Sequence, residues 1–392
     1  MPIKPSKRIT SLSFYAFAEV EQRAQELMDK GINIIDFGVG DPTTPTPQFI
    51  RESLKEAVDN RKSAGYPSYV GAPEYRAAVA GWMNRRYDLD LDPATEICST
   101  IGAAETIFNL PEAFIDPGDI VLVPNPGYPR YQRGALFAEG GVHYLNLTAD
   151  NGFFPDLDSI PEEILKKAKL LWINYPNNPT GVCATHKFYE QVVRFGREND
   201  ILIASDEAYS EIYFTDQPPT TLLQFSREGV IVINSLSKRS AMTTYRIGWA
   251  AGDPKAIEIF KKLKTNVDSG TATFIQDAAI TALSDEDHVA AMRDEYRIKR
   301  DIMAESLAAM GLPNCSPEAA MYIWQKTPAG MTSLELATAL LDEDIAVMTT
   351  PGAWISDEID GVNPGEGYIR LALVPSIDDC REAAKRLKQL KF

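Results

Sequence analysis

Histidine is scarce. His143, His186 and His288 are the only three in 392 residues, and no two lie close in sequence. A zinc centre needs clustered ligands and a Ser-His-Asp machine needs an imidazole base, so both are disfavoured, no metal site is expected, and any catalytic base is another kind of side chain. Cysteine is sparse too: Cys98, Cys183, Cys315 and Cys380 are widely spaced, with no CxxC pair, the pattern of free thiols in a reducing compartment. No run reaches the 18 or so apolar residues that span a bilayer, and the basic start Met-Pro-Ile-Lys-Pro-Ser-Lys-Arg has no apolar stretch behind it. The cytoplasm is the expected location. Positive charge is in deficit, 39 Lys and Arg against 55 Asp and Glu for a net charge of −16, which argues against nucleic-acid and membrane partners. The densest basic cluster, Lys261-Lys262-Leu263-Lys264, reads as a solvated helix face, as do most other lysines. Internal repeats and low-complexity tracts are absent.

What the sequence does contain is an ordinary globular composition, 44% hydrophobic and 24% charged, at a length that suits two domains. Between residues 46 and 283, short apolar runs alternate with amphipathic stretches. The runs are Ile120–Val123, Leu170–Asn174, Ile201–Ser205, Val230–Asn234 and Ile247–Ala250; helix-like segments are Glu105–Phe114, His186–Asn199 and Pro254–Leu263. Strands apolar on both faces and separated by helices imply an α/β fold with a mostly parallel sheet flanked by helices, the large domain. Residues 284–392 differ. A charged helix (Glu286–Met310) stopped by Gly311 and Pro313 precedes strand-like Met321–Trp324, helix-like Ser333–Leu341, strand-like Ile345–Met348 and Tyr368–Leu373, and a last helix from Ile377. This is a smaller α+β domain, onto which residues 1–45 are expected to pack through a helix at Tyr15–Lys30 and an extended Ile32–Phe37.

Ligands of parallel sheets bind beyond the carboxyl ends of the strands, and those ends are distinctive here. One run leads into Asp206-Glu-Ala-Tyr209, another into Asn174-Tyr-Pro-Asn-Asn178-Pro-Thr-Gly181, a third into Asn125-Pro-Gly-Tyr128-Pro, and a fourth into Ser235-Leu-Ser237-Lys238 with Arg246 beyond. A carboxylate after a buried strand wants a cationic partner. That partner is either Lys238 or Arg246, as a structural ion pair, or a bound cation such as a pyridinium. A pyridoxal phosphate site demands a phosphate cradle, a carboxylate for the ring nitrogen and a lysine for the aldehyde; this rim offers all three.

Those residues, with Tyr66-x-x-x-x-Gly71, Gly102-Ala-Ala-Glu105, Arg246-x-Gly248 and Tyr368-Ile-Arg370 in order, resemble the class I/II, fold-type I pyridoxal-phosphate aminotransferases across essentially the whole chain. The resemblance implies that Lys238 holds pyridoxal 5′-phosphate and, once displaced by substrate, becomes the general base. Asp206 pairs with the ring nitrogen, Tyr209 and Asn178 hydrogen-bond the ring 3-oxygen, and Tyr128 stacks on the ring. Ser235, Ser237, Arg246 and the amides of Ala103 and Ala104 cradle the phosphate. Arg370 clamps the substrate carboxylate, assisted by Asn178 and the backbone at Gly40. Tyr66 reaches the phosphate of a neighbouring subunit, implying a homodimer with shared sites, and the loop Lys264–Gly270 faces the neighbour. Arg239 is expected at the surface or behind the site. Ping-pong exchange between an amino acid and a 2-oxo acid follows.

Longer blocks, among them Tyr66–Gly71, Asn151–Asp158, Asn266–Gly270 and Gly365–Arg370, resemble the LL-diaminopimelate branch, which acts in lysine biosynthesis with the glutamate/2-oxoglutarate pair; there Tyr15 helps hold the distal end of the substrate. Thr243-Thr244-Tyr245 departs from that branch, and Lys238-Arg-Ser240 and Gly361–Gly365 look more like succinyl-diaminopimelate aminotransferases. Aspartate or alanine aminotransferase, a C–S lyase on the same fold and a non-enzymatic cofactor-binding regulator remain as rival readings.

Overall fold

In the computed structural model, which describes residues 3–12 and 18–392, strands form at the apolar runs. A short β1 (Ile35–Asp36) comes first. Seven strands then build the main sheet: β2 (Ile97–Thr100), β3 (Ile120–Asn125), β4 (Gly141–Asn146), β5 (Ala168–Asn174), β6 (Leu202–Asp206), β7 (Val230–Ser235) and β8 (Gly248–Gly252). Their order is β2-β8-β7-β6-β5-β3-β4. Strands β3 to β7 are parallel, and β8 alone runs against its neighbours β7 and β2. Ser235 at the end of β7 lies opposite Gly248 at the start of β8, so the intervening connection leaves the sheet and returns to it at the same level.

Side chains along a strand alternate between faces. Val230 and Val232 therefore join one core with Trp82, Trp249 and Tyr189, while Ile231 and Ile233 join the other with Trp172 and Phe260. Each fully buried aliphatic side chain of this kind contributes roughly 1.5–3 kcal/mol. Strands β2 and β4 were not expected from the apolar runs. The β2 sequence Ile-Cys-Ser-Thr is half polar though fully buried, and β4 is a partly exposed edge strand.

Helices begin and end on local signals. The Thr185 side chain caps His186–Asn199, and Asp200 ends it in the left-handed region at φ 54°. Asp253 caps Pro254–Val267, with proline in the first turn. This helix corrects two expectations. It runs on to Val267, so the first part of the presumed loop Lys264–Gly270 is helical. Lys264 is also buried, because it falls on the stripe of Ile257 and Phe260 rather than on the outer face. Lys299 is buried likewise, beside Tyr296 and Met303 in helix Asp287–Ala309.

Beyond the main sheet, β9 (Tyr322–Lys326), β10 (Val347–Met348), β11 (Thr350–Pro351) and β12 (Tyr368–Ala372) complete the strands among the described residues. An antiparallel sheet runs β11-β12-β9, and β1 pairs in parallel with β10, tying the N-terminal segment to the C-terminal region. Helices Asp287–Ala309 and Ile377–Leu387 pack over this sheet through Met303, Leu307, Ile323, Leu371 and Leu387. Among the described residues, no helix is long and apolar enough to cross a membrane.

Candidate active site

The carboxyl ends of β3, β5, β6 and β7 present Asn125, Asn174, Asp206 and Ser235 on one rim. The rim opens on a cavity of about 930 Å³ whose lining includes Asp206, Lys238, Arg246 and Arg370.

Asp206 is buried. The Tyr131 hydroxyl donates to its Oδ2 at 2.8 Å and the Ala208 amide to its Oδ1 at 3.2 Å. Neither Lys238 nor Arg246 makes an ion pair with it, so the structural ion-pair reading is not what the geometry holds. Burial raises its pKa from 3.8 to about 6, against the two hydrogen bonds that favour the charged form. Tyr131 stacks on Trp172 with ring centroids 4.9 Å apart. Sequence reading missed it, although its spacing from Tyr128 by three positions puts both on one side of a turn.

Lys238 sits on the single-turn helix Leu236–Arg239 immediately after β7, with the Ser235 side chain capping the turn through the Ser237 amide. Its ammonium donates to the Gly40 carbonyl at 2.8 Å. Burial lowers its pKa, and the nearby Arg370 and Arg246 charges act in the same direction against Tyr322 and Asp41. Arg239, one residue on, is neither at the surface nor at the site. It is buried, donates to the Ala282 carbonyl and Ser240 hydroxyl, pairs with Glu286, and lies over the Trp82 ring. The turn aims consecutive side chains in different directions, so the two cations part company.

The Tyr209 and Tyr322 hydroxyls are 2.9 Å apart. Tyr322, on β9, also has the Arg370 guanidinium 4.9 Å above its ring, and a Cβ at Gly40 would run into its hydroxyl. That close approach is what requires glycine at position 40. Tyr322 was hidden in an apolar run read only as a strand. Arg370, on β12, donates to the Gly38 carbonyl at 3.0 Å and to Asn178 Oδ1 at 3.3 Å. Its buried Nε has no partner. An arginine held on one side and unsatisfied on another suits an incoming carboxylate.

The opposite end of the cavity suits a phosphate. Gly102, at φ 71°, heads helix Ala103–Phe114, and a Cβ there would strike the Arg246 guanidinium. First-turn amides have no partner within the helix, so Ala103 and Ala104 offer donors at the positive end of its dipole. Ser235, Ser237, Arg246 and Tyr128 line the same cavity. Thr243 and Thr244 also line it, which places part of the divergent Thr243-Thr244-Tyr245 stretch beside the site. Tyr66 is elsewhere: it is 91% exposed and borders a separate hollow with Arg61 and Phe274. Tyr15 lies outside the described residues. A buried carboxylate without a cation, a lysine of lowered basicity and an anion cradle in one cavity fit pyridoxal phosphate.

Residues 32–387 match the family model described as aminotransferase class I and II. The chain is 45% identical over 390 residues to LL-diaminopimelate aminotransferase of Aquifex aeolicus, covering 99% of each. It is 42% identical to LL-diaminopimelate aminotransferase 2 of a Nostoc species, over 98% of this chain and 97% of that one. The substrate-bound BacF structure from Bacillus subtilis superposes with a TM-score of 0.91 at 33% identity, covering 100% of this chain and 99% of that one.

Proposed function

The chain belongs to the class I and II aminotransferases, transaminases that use pyridoxal phosphate, and on that premise we propose that its substrates are LL-diaminopimelate and 2-oxoglutarate. The observation that carries the reading is the meeting of Asp206, Lys238, Arg246 and Arg370 in one cavity, joined to full-length similarity with relatives of that name. Bound there, pyridoxal phosphate supplies an aldehyde carbon that captures an amine and a protonated ring that accepts electron density. Asp206 holds the proton on the ring nitrogen, and Tyr131 keeps that carboxylate oriented. Lys238, its proton affinity lowered, would take the proton from the substrate α-carbon and give it to the cofactor's former aldehyde carbon, two bonds away. Arg370 fixes the substrate carboxylate, with Asn178 and the Gly38 carbonyl setting the guanidinium plane. Tyr209 and Asn178 bind the ring oxygen; Ala103, Ala104, Ser235, Ser237 and Arg246 bind the phosphate.

Residues 46–283 form the cofactor-binding domain in this reading, and residues 1–45 with 284–392 the smaller one. Two copies pair so that Tyr66 of one completes the phosphate site of the other. The enzyme works in the cytoplasm. A screen of single amino acids against the cofactor-loaded protein tests the substrate: the imine absorbance should fade fastest with LL-diaminopimelate. A faster reaction with aspartate, alanine or the N-succinyl derivative moves the assignment to that substrate, and pyruvate release without any 2-oxo acid points to a lyase.

A further inference from the structure

We propose that Lys264 is a positioning residue for phosphate binding, offsetting the charge of Glu105 and anchoring the segment behind Arg246. Its side chain is fully buried, while those of its partners Glu105 and Asp268 are 10% and 16% exposed. The ammonium is 3.0 Å from Glu105 Oε2 and 2.9 and 2.8 Å from the two Asp268 oxygens. All three of its donors are thus engaged. Burial works against the charge, but the two carboxylates outweigh it and hold the lysine above its ordinary pKa.

Glu105 explains why such a cation is needed. It is the third residue of the helix whose first amides, Ala103 and Ala104, face the cavity. A carboxylate there suits the helix dipole and accepts from the Ile101 amide at 2.9 Å. Left uncompensated, it would also repel a dianion held at the head of the same turn, in surroundings where charges are poorly screened. Lys264 offsets part of that repulsion, one ammonium standing against two carboxylates. Its second partner, Asp268, accepts from the Gly270 amide at 2.6 Å, and the Thr271 hydroxyl donates onward to the Thr100 carbonyl at 3.2 Å and the Arg246 carbonyl at 3.4 Å. One buried ammonium therefore joins the helix that offers amides to the backbone that carries the arginine.

The inference rests on the reading that this end of the cavity holds a phosphate, and comparing two ligands separates the two ideas. Cofactor-free protein, wild type and Lys264→Met, is titrated with pyridoxal phosphate and with pyridoxal, which lacks the phosphate. Wild type should prefer the phosphorylated form strongly. Lys264→Met should weaken pyridoxal phosphate binding roughly 10- to 100-fold and leave pyridoxal unchanged. Adding Glu105→Gln to Lys264→Met should restore the part of the loss that comes from the Glu105 charge. Should Lys264→Met not fold, the near-isosteric Glu105→Gln alone should bind pyridoxal phosphate at least as tightly as wild type. Equal losses for both ligands, no loss for either, or weaker phosphate binding in Glu105→Gln would overturn the proposal. A wild type that binds both ligands alike removes the cradle reading and the proposal with it.

Discussion

At the residue scale, the burial of Asp206 works against stability at neutral pH. In the cofactor-free protein its carboxyl titrates near 6 when folded and near 3.8 when unfolded. The folded state then binds the proton more tightly, so this contribution is most favourable below the unfolded value and fades as pH rises through the window. Asp206→Asn should abolish that pH dependence and stabilise the cofactor-free protein at neutral pH by roughly 3 kcal/mol, while turnover falls at least about 10²-fold; urea unfolding across pH 4–7 checks the first part. Tyr131→Phe removes a donor to the charged form and should extend the window upward. Arg370→Leu should raise KM for carboxylate substrates far more than it changes the melting temperature. Asp206 and Lys238 were legible because each follows an apolar run at a strand end, and Arg246 and Arg370 because of the motifs Arg246-x-Gly248 and Tyr368-Ile-Arg370. Tyr131 and Tyr322 were not, since their partners lie 75 and 113 positions away in sequence, and Tyr322 stands in an apolar run that looks like core. Lys264 misled for the converse reason: a cation in a polar stretch gives no sign of burial until the helix phase is known, and the same ambiguity left Arg239 open between the surface and a place behind the site.

At the element scale, strands apolar on both faces and helices with clear caps could be read from sequence. Strands β2 and β4 could not, because tertiary pairing rather than apolar content holds them. A second element-scale feature is the clasp between the end of β3 and the segment after Trp354. Asn125 donates to the Asp357 carbonyl and accepts from its amide, both at 2.8 Å, and Ile355 of that segment lines the cavity. Asn125→Ala should cost about 1–3 kcal/mol in stability. It should also raise KM more than it lowers kcat, since it loosens a wall of the cavity without touching Lys238; steady-state kinetics beside thermal unfolding separate the two effects.

At the scale of the whole molecule, the proposed sharing of sites between two copies makes a sharp expectation. Lys238→Ala should fold, lose the imine absorbance and lose more than about 10³-fold in turnover, and Tyr66→Phe should chiefly weaken cofactor retention. Mixed dimers of the two variants should contain one site carrying both defects and one carrying neither, so at limiting cofactor mixing should raise activity above that of either parent; no rise would argue against Tyr66 acting across subunits. The connection from Ser235 to Gly248 has a further consequence, for tolerance to insertion. Both ends are fixed at one level of the sheet by the β7–β8 pairing, and Lys238 and Arg246 hang between them, so the stretch works as a ruler of fixed length. One added residue inside it would shift the lysine or the arginine off the rim, whereas the same residue in the exposed turn Asp216–Pro218 would leave both where they stand.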